Sequence, residues 1–228
     1  MNRMKFTKLD FRLEAKPGAP AADLYIFDDI GEYEDWDGNL HGFGPKGLVE
    51  QLAAIDAPEL NVHINSFGGD AYSGIAVMNL LKNCGKKVTT IVEGIAASAA
   101  STIAMAGEKV IMRPTSQLMV HNAWTFAIGN AKELRKVADD LDKFMESDNQ
   151  AFLKKAGDKL TPEKFEELLD NETYLTAREA YDLGLCDEIT GEDLDEDEEE
   201  ADLDPDPVDP QDEDENKPKN EIKPFWFF

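Results

Sequence analysis

Apolar and polar residues alternate, or cluster into short runs, in a way that divides the chain into strands and helices. Asp23-Leu-Tyr-Ile-Phe27 reads as the first core strand, and Leu60-Asn-Val-His-Ile-Asn65 alternates as a second. The β-branched run Val88 to Val92 predicts a buried strand that Gly94 breaks. Lys109 to Met112, Gln117 to His121 and Leu185 to Ile189 are further short strands. Helical periodicity lies between them. Lys46 to Ile55 carries a short helical pattern, and Tyr72 to Leu81 sets Ile75, Met78 and Leu81 on one face before Cys84-Gly85 ends it. Ala131 to Lys155 is a long amphipathic helix with a stripe of Leu134, Val137, Ala138, Leu141, Met145 and Phe152. Thr161-Pro162 marks another helix start, Thr176-Ala-Arg-Glu179 matches a capping box, and Gly184 is the stop. Strand, helix, strand, helix, strand implies a layered α/β domain with right-handed crossovers.

Composition narrows the function. The 228 residues suffice for one sizeable domain with extensions, and no apolar run approaches the ~20 residues of a membrane span. No signal peptide is visible, and Cys84 and Cys186 sit among apolar residues at no metal-like spacing. They are expected to be buried free thiols in a reducing, cytoplasmic setting. Glu192 to Glu215 holds sixteen carboxylates without a Lys or Arg, so setting it aside takes the net charge from −25 to −9. Such an acidic body argues against nucleic acid as a partner. Residues 1–22 read as an N-terminal arm and 23–190 as the domain. In the acidic tail, 191–228, residues 191–224 are expected to be disordered, ahead of the aromatic end Phe225-Trp-Phe-Phe228.

The candidate chemistry centres on Ser98. The small residues of Gly94-Ile-Ala-Ala-Ser-Ala-Ala100 follow a strand and open a helix, so Ser98 falls at a junction where unpaired N–H groups can stabilise an oxyanion. The same sequence would also suit a tightly packed small-residue helix, because the G-x-S-x-G elbow is absent. A serine nucleophile needs a base, and the chain has three histidines. His41 lies in a loop and His63 sits on an alternating strand in a structural setting. His121 closes a strand where a loop begins, which makes it the best base. Gly68-Gly69, between a strand and a helix, offers backbone N–H groups, while Asp170 and Glu172 are the candidate acids. Nothing in this chemistry calls for a cofactor or a metal.

Four blocks, in order, carry a resemblance: Ile64-Asn-Ser-Phe-Gly-Gly-Asp70, Gly94-Ile-Ala-Ala-Ser98, Met119-Val-His121 and Tyr174-Leu-Thr-Ala-Arg-Glu-Ala-Tyr-Asp-Leu-Gly-Leu185. Over about residues 22–190 the chain resembles the Clp protease proteolytic-subunit family (ClpP-like serine proteases). It is most similar to the phage and prophage branch of head maturation proteases, of which the block Gly129 to Lys143 is typical. The resemblance implies a layered core shared with crotonases and a protruding helical handle over 131–169. It implies Ser98 as nucleophile, His121 as general base, and the N–H groups of Gly69 and Ala99 as the oxyanion hole. Its acid falls on Glu172, where the family has Asp, with Asp170 in reserve. Phe67 also departs from the family's usual Pro. Thr125, Phe126, Ala127 and Ile128 would form a strand-like substrate groove.

The implied activity is a serine endopeptidase that cleaves capsid or scaffold proteins during prohead maturation, acting as a homo-oligomer of stacked heptameric rings. One alternative is a proteolytic subunit that degrades unfolded proteins fed by a Clp ATPase, although the arm does not resemble that family's axial loop. Another is a catalytically silent ring-forming scaffold, against which the intact Ser98, His121 and diglycine argue. A crotonase-type acyl-CoA enzyme shares the fold but fits the Ser and His blocks less well.

Overall fold

In a computed structural model that describes residues 11–14, 19–34, 36 and 40–192, the alternating segments become neighbours in one mixed sheet. In chain order the elements are β1 (Phe11–Glu14), β2 (Ala21–Ile26), β3 (Tyr33–Glu34), β4 (Leu40–His41), α1 (Pro45–Ala54), β5 (Glu59–Ser66), α2 (Ala71–Lys82), β6 (Lys87–Ala97) and α3 (Ala99–Ala104). There follow β7 (Lys109–Met112), β8 (Gln117–Val120), α4 (Ala131–Ala156), α5 (Pro162–Asp170), β9 (Thr173–Thr176), α6 (Ala177–Asp182) and β10 (Glu188–Ile189). Among the described residues the sheet runs β1-β2-β5-β6-β7-β10, and β8 joins β6 to β9. The β2, β5, β6, β7, β8 and β10 pairings are parallel, whereas β1 and β9 pair antiparallel.

Alternation along the strands divides their faces. Leu24 and Ile26, Leu60, Val62 and Ile64, and Val88 and Val92 are buried against Val77 and Leu81 of α2 and against α3. Every residue of α3 is buried, and Thr90 of β6 donates its hydroxyl to Ala104 C=O at 2.7 Å. A Cβ on Gly74 of α2 would stand 2.9 Å from that of Ala99, so the small residues of the two helices allow close approach. The opposite face holds His63, which bonds Glu93 at 2.7 Å and stacks on Tyr25 at 4.6 Å. Arg113 grips Glu93 with two hydrogen bonds, and that contact chiefly holds the Glu93 carboxyl below its ordinary range. His63 is thus structural, as its place on an alternating strand suggested.

Gly94 does not end its strand, contrary to the sequence reading. β6 runs on to Ala97 because the sheet forks there: residues 89–92 pair with β7, and residues 95–97 pair with β8. Its register against β5 also shifts, from Ile64↔Val92 to Ser66↔Ala96. Asn65 fills the gap by accepting the Ile95 N–H at 3.2 Å. Its Oδ1 lies 2.5 Å from where a Cβ on residue 94 would be, so only glycine leaves room for it.

Other boundaries move as well. Within the expected N-terminal arm, Phe11–Glu14 forms β1 on the edge of β2, and β2 itself starts at Ala21. The Leu185–Ile189 strand shrinks to Glu188–Ile189, and β9 and the β3–β4 hairpin were unforeseen. α4 is 26 residues long, opened by an Asn130–Glu133 capping box. It buries Ala151, Phe152 and Ala156, whereas Leu134 near its start is exposed, so only the end of the apolar stripe reaches the core. Cys84 and Cys186 are free thiols, Cys186 fully buried and Cys84 partly so. No helix among the described residues is long and apolar enough to cross a membrane. The acidic tail and its aromatic end lie outside the described residues, apart from Gly191 and Glu192.

Candidate active site

Strand register assembles the site. β5, β6 and β8 run parallel, with Ser66 opposite Ala96 and Ala97 opposite Met119. Two residues beyond the first pair and one beyond the second, Gly68 and Val120 come level with Ser98, and His121 follows at once. All of this happens at the C-terminal edge of the sheet, where side chains leave the ladder and become available to ligands.

Ser98 is the hinge between β6 and α3. Its backbone adopts φ 53, ψ −128, a region disfavoured for any residue with a Cβ and costing about 1–3 kcal/mol. The conformation is over-determined by its bonds: Ser98 N–H donates to Met119 C=O at 3.0 Å, and Ser98 C=O accepts from Ser101 N–H at 2.9 Å and from the Ser101 hydroxyl at 2.6 Å. The strained turn aims the side chain at His121, whose Nε2 lies 2.8 Å from Ser98 Oγ. In the tautomer carrying the proton on Nδ1, the serine hydroxyl donates to Nε2. That is the starting geometry for proton abstraction.

The diglycine turn borders this pair. A Cβ on Gly68 would lie 2.6 Å from Ala97 O and 2.7 Å from Ser98 Cβ, and its φ of +99 suits glycine alone. Gly69, at φ +144, is pressed against Ile30, where a Cβ would meet the carbonyl oxygen at 2.1 Å. Around it, Ile30 N–H donates to Gly68 C=O at 2.8 Å and Asp70 N–H donates to Ile30 C=O at 2.7 Å. In such a parallel bridge the middle residue's own N–H points away from the partner strand. Ala99 opens α3, and first-turn N–H groups have no acceptor within their helix. Neither N–H has a partner among the described residues, and both residues line the cleft beside Ser98. Ser66 pins the turn from below: buried, it donates its hydroxyl to Asp28 C=O at 2.7 Å and accepts Gly68 N–H at 3.1 Å.

Among the described residues no carboxylate bonds His121. β9 pairs antiparallel with β8 as far as Val120↔Thr173, so one further step sets Glu172 across from His121. Glu172 is exposed, with φ 48 at the turn out of α5. Asp170 holds a different partner, accepting from Asn122 Nδ2 at 2.7 Å.

Beyond His121 the residues from Asn122 to Asn130 form neither strand nor helix, and Ala123 N–H donates to Met145 Sδ at 3.2 Å. Trp124, Phe126 and Ile128 are more than 80 % or just 80 % exposed, whereas Ala127 is partly covered. Of the expected groove only Thr125 lines the cleft, which measures about 640 Å3 and is walled by the diglycine turn, Ser98, His121 and the residues after it, and side chains of α2, α3, α4 and α5. Sequence reasoning missed Ser66, Asn122, Thr102 and Asp148. Asp148 did leave a signal, because it falls three residues after Met145 and four before Phe152, a charge on the apolar stripe of α4.

The signature of the family described as Clp protease matches residues 46–193. Proteins named ATP-dependent Clp protease proteolytic subunit are similar throughout their length. That of Oltmannsiellopsis viridis is 30 % identical over 192 residues, covering 80 % of this chain and 95 % of its own. That of Chlorella vulgaris is 30 % identical over 195 residues, covering 80 % and 92 %. A solved mutant of ClpP1 from Listeria monocytogenes shares the fold, with a TM-score of 0.60 and 22 % identity over 73 % of this chain and 90 % of that one. The chain belongs to the Clp protease family.

Proposed function

We propose that this chain is a serine endopeptidase in which Ser98 attacks the peptide carbonyl and His121 moves the proton. The observation that carries the reading is the 2.8 Å contact between Ser98 Oγ and His121 Nε2 on a strained strand-to-helix turn, beside two N–H groups without partners. Nε2 takes the hydroxyl proton as the Oγ–C bond forms. The carbonyl oxygen, now an oxyanion, accepts from Gly69 and Ala99 N–H. Nε2 then returns the proton to the departing amine, leaving an acyl-serine, and a water activated by the same nitrogen releases the acid. Glu172, opposite His121 at the end of the β8–β9 ladder, is the acid that orients Nδ1–H, with Asp170 as the alternative. The stretch Thr125, Phe126, Ala127 and Ile128 suits a substrate added as a strand, since among the described residues it belongs to no sheet.

Head or scaffold proteins of a phage are the substrates this reading favours. Its support is the Gly129 to Lys143 block and the acidic extension beyond the family match. Homo-oligomeric rings, assembled through the exposed start of α4, fit the same reading. The names of the relatives favour a second one, a proteolytic subunit served by a Clp ATPase. Intact-mass analysis of an unstructured protein incubated with the purified chain or with Ser98→Ala tests both. Cleavage by the wild type alone, without an ATPase, supports an autonomous endopeptidase. Cleavage only when a Clp ATPase and ATP are added supports the second reading, and equal turnover by Ser98→Ala removes Ser98 from the mechanism.

A further inference from the structure

The cleft beside Ser98 is walled by apolar side chains that include Leu141, Phe144, Met145 and Phe152. Three aspartates, Asp70, Asp140 and Asp148, also line it, and no lysine or arginine does. Two of them are committed elsewhere: Asp70 caps α2 by accepting Ser73 N–H at 2.7 Å, and Asp140 pairs with Lys136 on the surface of α4. Asp148 is different. Its Oδ2 accepts the Thr102 hydroxyl at 3.1 Å, while Oδ1 is shielded from solvent and has no partner among the described residues. A carboxylate in an apolar wall without a cation is costly, and burial pushes the Asp148 carboxyl up to about 6. It remains mostly ionised at neutral pH. Thr102 stands four residues after Ser98, so roughly one helical turn of 5.4 Å separates the nucleophile from the residue that holds Asp148.

We infer that this cleft is a specificity pocket for a lysine or arginine side chain on the acyl side of the scissile bond, with Asp148 as its counter-ion. The inference rests on the peptidase reading above. The apolar wall takes the methylene stem of the incoming side chain, and Asp148 takes its charged head. Asp70 and Asp140 add negative potential at the mouth. The side chain supplies the cation that the buried carboxylate lacks, so part of its binding energy comes from relieving an unpaired charge.

The test is kcat/KM for a peptide series that differs only in the residue before the cut (Lys, Arg, Leu or Met), measured on the full chain, on Asp148→Asn and on Asp148→Leu. Reaction with a fluorophosphonate at Ser98 is followed in parallel. The wild type is expected to prefer Lys or Arg over Leu by at least about tenfold, and Asp148→Asn to cut that ratio by about tenfold. Asp148→Leu is expected to reverse the preference. n-Butylammonium, a mimic of the lysine side chain, should compete with the wild-type reaction, a readout that needs no variant. A labelled, cleaving wild type that prefers leucine, or ratios unchanged in both variants, overturns the specificity assignment and leaves the peptidase reading intact. A chain that neither labels nor cleaves overturns the peptidase reading and the pocket with it.

Discussion

Ser98 and Glu172 both stand at strand ends, yet they are held in different ways. Ser98 sits between two parallel neighbours, so both β5 and β8 fix its position, and its own N–H and C=O are bonded to Met119 and Ser101. Glu172 lies one step past the last rung of an edge ladder, exposed and in a left-handed turn. The contrast teaches that a group enclosed by register on both sides is pre-positioned, whereas a group past the last rung of an edge ladder is held on one side only. Catalysis should therefore depend steeply on the first side of the site and gently on the second.

His121→Ala is the hardest blow to the comparison. It removes the imidazole that contacts Ser98 Oγ and should lower kcat/KM by about a thousandfold or more, with the fold retained, as read by peptide hydrolysis and circular dichroism. A loss under tenfold would mean that the 2.8 Å contact is not the proton path. Glu172→Gln should cost less, about ten- to a hundredfold, because a softly held acid contributes less orientation. Asp170→Asn should cost less again, since that carboxylate serves Asn122. The reverse ranking would assign the acid to Asp170.

The smallest effect concerns stability on the helical wall. Asp148 has its carboxyl raised from 3.8 to about 6 by burial, so the folded chain binds that proton more tightly than the unfolded chain does. Stability therefore falls as pH rises from about 4 through about 6 and is level above, a total of the order of 2–3 kcal/mol. Asp148→Asn should flatten that part of the curve in urea melts between pH 4 and 7.5. An unchanged slope would show that Asp148 is not the group responsible.

Much of this was legible in the residues. Short apolar patterns located β2 and β5, a β-branched run located the first half of β6, and a capping box located α6, because each signal is carried by a few neighbouring side chains. Strand-end placement singled out His121 as the base for Ser98 and motif resemblance strengthened the pairing, but the register that joins them depends on residues far apart in the chain. The continuation of β6 through Gly94 was not legible. A glycine that ends a strand and one that makes room for Asn65 look alike until the partner strand is known. Thr125 to Ile128 has strand-like residues but forms no strand among the described residues, because no neighbouring strand of the sheet pairs with it. Asp148 was present as a break in an apolar stripe, but the stripe was read for its rule and not for its exception.

The fork of β6 at Gly94 has a consequence for how such a chain can diverge. Upstream, the strand belongs to the shared framework with β7; downstream, it belongs to the reacting groups with β8. Insertions or deletions at the N-terminal edge of the sheet lengthen or shorten loops without touching the spacing of Gly68, Ser98 and His121. A single residue gained or lost between Gly94 and Ser98 would turn the hydroxyl to the other face of the sheet and leave the imidazole facing a backbone. Length is constrained along those four peptide bonds and along the steps from Ser66 to Gly68 and from Met119 to His121, whose register brings them level with Ser98.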